Sequence, residues 1–119
     1  MSKAKDKGRR LENGVVAKLA EYGITSERVP LSGSLGGKYA SDVVLGSVDH
    51  PLGRIECKNR ESIADYFWDY LDPVDYLVLK KNHKEALVVM RLDQLGELLR
   101  IKQEYEMEAI NLPSECNDV

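Results

Sequence analysis

A chain of 119 residues is long enough for one hydrophobic core and too short for two. Hydrophobic residues make up 43% and charged residues 31%, the balance of an ordinary globular domain. No membrane association is expected, because the longest apolar runs, Tyr76-Leu77-Val78-Leu79 and Ala86-Leu87-Val88-Val89-Met90, fall far short of the ~20 residues of a membrane span.

Residues 1–7 are polar and lack periodicity, which predicts a mobile, basic N-terminus without the apolar stretch of a secretory signal. Leu11, Val15, Val16, Leu19 and Tyr22 recur at spacings of three and four, which predicts a helix over 8–22 stopped by Gly23. Residues 26–31 read as a short strand with Pro30 near its end. A glycine- and serine-rich loop follows, Ser32-Gly33-Ser34-Leu35-Gly36-Gly37-Lys38. Strands are expected over 42–45 and 54–58, joined through Gly46-Ser47 and the turn Asp49-His50-Pro51-Leu52-Gly53. An aromatic helix over 62–71 carries Tyr66, Phe67, Trp68 and Tyr70, read as a mixture of core and interface or as a base-stacking surface. Strands over 76–80 and 86–90 flank the polar turn Lys81-Asn82-His83-Lys84, and Asp93 caps a last helix reaching about residue 106. The order α-β-β-β-α-β-β-α describes an α/β domain over 8–106, a small sheet with helices packed on it. An acidic tail over 107–119 completes the chain.

The formal net charge of −3 argues against a nucleic-acid partner, but its distribution does not. Residues 1–38 hold 8 Lys and Arg against 4 Asp and Glu, residues 39–91 hold 7 against 9, and residues 92–119 hold 2 against 7. That gradient suits a DNA face at one end of the molecule, and equally a chance asymmetry of solvated surface. Cys57 and Cys116 form neither a disulfide framework nor a zinc-ligand spacing, so a reduced, cytoplasmic protein is expected.

The chemistry concentrates at Asp42 and at Glu56-Cys57-Lys58. Alternation along a strand puts Glu56 and Lys58 on one face and Cys57, a small apolar side chain, on the other. Asp42 opens the preceding strand and can bring a second carboxylate to the same spot. Paired carboxylates make a hard-oxygen site suited to Mg²⁺, and a lysine beside them can orient an attacking water and offset developing negative charge. The same residues also read as an exposed ion pair and a turn aspartate. Glu12, on the border of the first helix's apolar stripe, supplies a third carboxylate or is a surface glutamate. Arg28 and Ser32 flank Pro30 before the glycine loop, whose N–H groups and hydroxyls can approach a phosphodiester.

Four segments in order resemble one family. They are Lys7-Gly8-Arg9-Arg10-Leu11-Glu12, Arg28-Val29-Pro30-Leu31-Ser32-Gly33-Ser34, Ser41-Asp42-Val43-Val44 and Ile55-Glu56-Cys57-Lys58-Asn59-Arg60. The archaeal-type Holliday-junction resolvases, of the PD-(D/E)xK nuclease superfamily, read Lys-Gly-x-x-x-Glu, Arg-x-Pro-x-Ser-Gly-Ser, Pro-Asp-Ile-Ile and Glu-x-Lys-Ser-Arg in those places. The resemblance covers about residues 7–60, half the chain.

It implies a restriction-endonuclease-like fold with a central mixed five-stranded sheet flanked by helices. It also implies a homodimeric nuclease domain over 8–106 that cuts branched double-stranded DNA with Mg²⁺, or Mn²⁺ in its place. Glu12, Asp42 and Glu56, with the Cys57 carbonyl, would hold metal; Lys58 would be the catalytic lysine and Ser32 would approach the scissile strand. Lys7, Arg9, Arg10, Arg28, Ser34, Lys38 and Arg60 would contact DNA. Asn13 stands where the family commonly has a basic residue, Ser41 replaces the proline, and the acidic last helix departs from the basic relatives. A nicking, flap or restriction-like endonuclease and a non-catalytic DNA-binding module are the alternative readings.

Overall fold

The computed structural model describes residues 3–29 and 41–111. Helix α1 (Lys3–Glu21) sets Leu11, Val15 and Leu19 along one side, and Val15 and Leu19 are buried. It starts five residues before the expected position: Lys3, Ala4, Lys5 and Lys7 are good helix formers, and Gly8 costs only about 1 kcal/mol inside a helix. Gly23 ends the helix as expected, at φ 75°. Its N–H donates to Ala20 O at 2.9 Å and the Ile24 N–H to Leu19 O at 3.0 Å, the paired bonds that close a helix on a left-handed glycine.

Three short strands follow, β1 (Ser26–Arg28), β2 (Val43–Gly46) and β3 (Pro51–Ile55). They form an antiparallel sheet in the order β1-β2-β3, with Arg28 opposite Val43 and Val43 opposite Ile55. Helix α2 (Tyr66–Leu71) leads to a second antiparallel pair, β4 (Tyr76–Leu79) and β5 (Leu87–Met90), and then to α3 (Leu92–Asn111). Helix α2 starts at residue 66 rather than 62, where the Asp65 carbonyl accepts the Trp68 N–H at 3.0 Å.

The protein is thus mixed α/β, with the expected element order and all five expected strands. The strands pair as three plus two antiparallel, not as one mixed sheet of five. Short reversals account for the antiparallel β2–β3 and β4–β5 pairs. Residues 47–50 and 80–86 turn the chain straight back, which permits only antiparallel neighbours.

The core lies between α1 and the three-stranded sheet. Val15, Leu19, Ile24 and Val43 form its centre, and Leu11, Leu45, Ile55, Cys57 and Leu99 pack against it. On the central strand β2 both Val43 and Val44 are fully buried. The second half is far more open: Val78, Leu87 and Val88 on the β4–β5 hairpin are more than half exposed. Helix α3 runs on to Asn111, past the expected stop at 106. Arg100–Glu104 and Lys102–Glu106 ion pairs at 2.7 and 3.0 Å support it one turn apart, and no breaker precedes Pro113.

Helices α1 and α3 meet at Tyr22. Its hydroxyl donates to Asp93 Oδ1 at 3.1 Å, Lys18 Nζ lies 3.4 Å from the same oxygen, and the ring covers Gly96. A Cβ added to Gly96 would sit 2.5 Å from Tyr22 Cδ2. Gly96→Ala is therefore expected to destabilise the protein by roughly 1–3 kcal/mol of overpacking, less the ~1 kcal/mol that alanine returns as a helix former. Gly14→Ala, where an added Cβ meets nothing within 4 Å, should instead raise the midpoint. Thermal melts of the two variants check both signs.

Candidate functional site

The site grows from the open end of the β2–β3 ladder. The last paired residues are Val43 and Ile55, so Asp42 and Glu56 come next on neighbouring strands. The Asp42 backbone is held from both sides: its N–H donates to Ile55 O at 3.1 Å and its carbonyl accepts the Val29 N–H at 3.0 Å. Its carboxylate then takes over where the ladder stops, Oδ2 accepting the Cys57 N–H at 2.7 Å. That length is typical of a charge-assisted bond.

The expected strand over 54–58 is displaced. Strand β3 ends at Ile55, and Glu56-Cys57-Lys58 lies just beyond it. The alternation nevertheless persists: Ile55 and Cys57 are half-buried, whereas Glu56 and Lys58 are exposed. Glu56 Oε1 and Lys58 Nζ stand 3.4 Å apart on the outer side. Cys57 packs against the core, as the alternation argument requires. Its link to Asp42 runs through its N–H.

Glu12 enters from α1. Its side chain is only 12% exposed, and Arg28 on β1 donates from Nε to Glu12 Oε2 at 3.0 Å. Arg28, expected on a phosphate, is thus the partner of a carboxylate that would otherwise be desolvated alone. The pair joins α1 to the edge strand of the sheet.

The Cys57 thiol registers what surrounds it. It is pushed up from an ordinary value near 9 to about 11, first by burial and then by the negative charges of Asp42, Glu12 and Glu56. The charges of all three carboxylates singled out in the sequence thus reach this thiol. Each is also turned toward a partner, Glu12 to Arg28, Asp42 to the Cys57 N–H and Glu56 to Lys58. Among the described residues no group of three or more His, Cys, Asp or Glu side chains is gathered tightly enough to hold a metal ion.

Beyond Lys58 the chain borders a cleft of about 420 Å³, lined in part by Leu11, Lys58, Asn59, Arg60, Ile63 and Trp68. Arg60, expected on the DNA face, shares this cleft with Lys58. Lys7, one helical turn before Leu11, is on the same side of α1, and Arg9 and Arg10 are exposed on the same helix. Ser32, Ser34 and Lys38 lie outside the described residues. The sequence reading did not assign Asn59, Ile63 or Trp68 to this site. The available signal was the chain's single tryptophan, eight residues after Arg60. On α2 only Leu71 is buried, with Trp68 and Tyr70 at 58% and 60% exposure, so this helix contributes little to the core.

No family model, curated protein or solved structure matches the chain. Among the described residues no helix is long and apolar enough to cross a membrane.

Two consequences can be measured. Because folding raises the Cys57 value, the folded state holds that proton more tightly; the associated stability is complete below pH 9 and is lost as pH climbs toward about 11. Alkylation of Cys57, followed by peptide mass spectrometry against pH, should show a midpoint near the raised value, and Glu56→Gln should lower it. An unmoved midpoint would deny that Glu56 reaches the thiol. Arg28→Ala should cost about 1–3 kcal/mol in urea unfolding, since it strands a largely buried carboxylate. Adding Glu12→Gln to that variant should recover part of the loss.

Proposed function

We propose that the protein is a metal-dependent endodeoxyribonuclease that nicks branched DNA, resolving four-way junctions. The observation that carries this reading is that Asp42 and Glu56 directly follow the last paired residues at the open end of the β2–β3 ladder, with Lys58 3.4 Å from Glu56. Glu12 lies close enough behind to act on the same thiol. The donor set fits a hard cation in kind, all carboxylate oxygen. Glu56, its side chain 54% exposed, has the freedom to turn from Lys58 toward Asp42. A magnesium ion held by Asp42 and Glu56, with Glu12 behind, would polarise a bound phosphate and acidify water.

Lys58, released from Glu56 in that arrangement, orients the attacking water and offsets charge on the pentavalent phosphorus. Water adds in line to phosphorus, the bond to the 3′ oxygen breaks, and a 5′ phosphate remains. Arg60, with Lys7 and the exposed Arg9 and Arg10 of α1, supplies cations for the DNA backbone, making binding strongly salt-dependent.

In this reading β1-β2-β3 is the catalytic sheet, and β4–β5 is a separate hairpin outside it. Homodimerisation is part of the same proposal, and the exposure of Val78, Leu87 and Val88 supports it by leaving an apolar surface to cover.

The test is cleavage of a labelled four-way junction beside a linear duplex built from the same arms. Paired nicks on the junction alone are expected with Mg²⁺, abolished by EDTA and reduced at least ~10²-fold by Glu56→Ala or Lys58→Met. Equal cutting of the duplex would keep the nuclease and reject the resolvase. Each carboxylate's present partner (Arg28, the Cys57 N–H or Lys58) favours one other outcome, tight junction binding without cutting, which would mark a non-catalytic DNA-binding module.

A further inference from the structure

Helix α2 presents its aromatic residues unequally. Tyr66 packs on Phe67 with ring centroids 4.6 Å apart and meets Tyr70 edge-on at 6.2 Å. Trp68 is two positions from both tyrosines, hence on the other side of a helix that turns about 100° per residue. It has no ring partner among the described residues, and 58% of it is exposed. Its backbone is nevertheless fixed: the N–H donates to Asp65 O at 3.0 Å and the carbonyl accepts the Asp72 N–H at 3.0 Å. Arg91 holds the end of the same helix by donating to Leu71 O at 2.6 Å.

The indole forms one wall of the cleft that also holds Lys58 and Arg60, with Ile63 and Leu11 as its apolar lining. Apolar and aromatic walls with a few convergent polar groups are the usual makeup of a small-ligand cleft, and about 420 Å³ is within the range such clefts occupy. Glu61 and Asp65, also on the lining, are acceptors suited to base N–H groups and unsuited to a second phosphate. The two cations suit one phosphate; the rings and acceptors suit a base.

We propose that this cleft receives a single unpaired nucleotide of the DNA, its base stacked on Trp68 and its phosphate held by Arg60 beside Lys58. The inference rests on the nuclease reading for the nature of the polymer. It adds that the protein recognises an unstacked base, since a base within a duplex offers no free face to an indole. Helix α2 then acts in substrate selection, and strands that are open at a branch point are preferred over a continuous duplex.

Because Trp68 is the only tryptophan of the chain, its emission reports on this cleft alone. The full-length protein is titrated in EDTA with a fluorescein-labelled single-stranded oligonucleotide, following anisotropy of the label and emission of Trp68. Saturable binding with quenching of Trp68 is expected, with Trp68→Ala weakening binding roughly 5- to 150-fold and Trp68→Tyr largely restoring it. Circular dichroism confirms that both variants fold. Saturable binding with unchanged Trp68 emission and full affinity of Trp68→Ala would overturn the inference and leave the nuclease reading intact. Quenching without metal-dependent cutting of any DNA would sustain the inference and sink the nuclease reading. Absence of binding to any DNA would overturn both, and a Trp68 shift driven by protein concentration alone would assign the indole to a contact between copies.

Discussion

A β-ladder needs a partner for every N–H it presents, and at the end of β2–β3 that partner is a side chain. The Asp42 carboxylate accepts the Cys57 N–H at 2.7 Å, and this bond holds the chain two residues past the end of β3. A hydrogen bond to a charged group contributes about 1.5–3 kcal/mol, several times what an exposed ion pair gives. Beyond that end the alternation of exposure persists, with Glu56 and Lys58 exposed and Cys57 half-buried. Without it the Glu-x-Lys spacing would carry no geometric meaning, for a loop has no alternation.

The same bond ties the candidate chemistry to the hydrophobic core. Cys57 is packed against Val15, Leu19, Ile24 and Val43, so Glu56 and Lys58 are flanked on one side by a fixed, dry layer. Glu12 approaches from α1 through that layer's border and is compensated by Arg28. A carboxylate that is nine-tenths covered cannot stay charged cheaply without such a partner. Arg28 thereby fixes the position of β1 relative to α1, and the pair is a structural joint whatever else it does. Each of the acidic groups concentrated here has an electrostatic answer nearby; the Cys57 thiol has none, and burial first and their negative charges second push its value up.

Features that depend on local pattern were legible in the sequence. The stop at Gly23 followed from the need for a left-handed residue after an apolar stripe, and the eight-element order followed from the change of period along the chain. The Asp42 and Glu56-x-Lys58 neighbourhood was legible because a hairpin turn between two short strands forces their ends together. Features that depend on which distant groups meet were not. Nothing in Arg28-Val29-Pro30 distinguishes an arginine bound for phosphate from one bound for Glu12, sixteen residues earlier. Strand pairing across the molecule was equally hidden, since β-branched runs indicate strands without naming their neighbours. The end of α3 is hidden for a simpler reason: Met107, Glu108 and Ala109 are good helix formers, yet their polar, acidic neighbourhood has the composition of a tail.

The two halves of the molecule differ in a way that gives the cleft its character. The first half, α1 with β1-β2-β3, holds most of the buried apolar side chains; the second, α2 with β4–β5, leaves most of its aromatic and branched residues open. Residues 58–65 join them, and it is along this connection that Lys58, Asn59 and Arg60 come to face Ile63 and Trp68. Cations placed over a packed half stay where the core fixes them. Aromatic groups on the open half keep their faces uncovered, since no core is there to absorb them. A polyanion with aromatic bases requires both at once, and a connection between a buried half and an exposed one is where a small domain can offer them together.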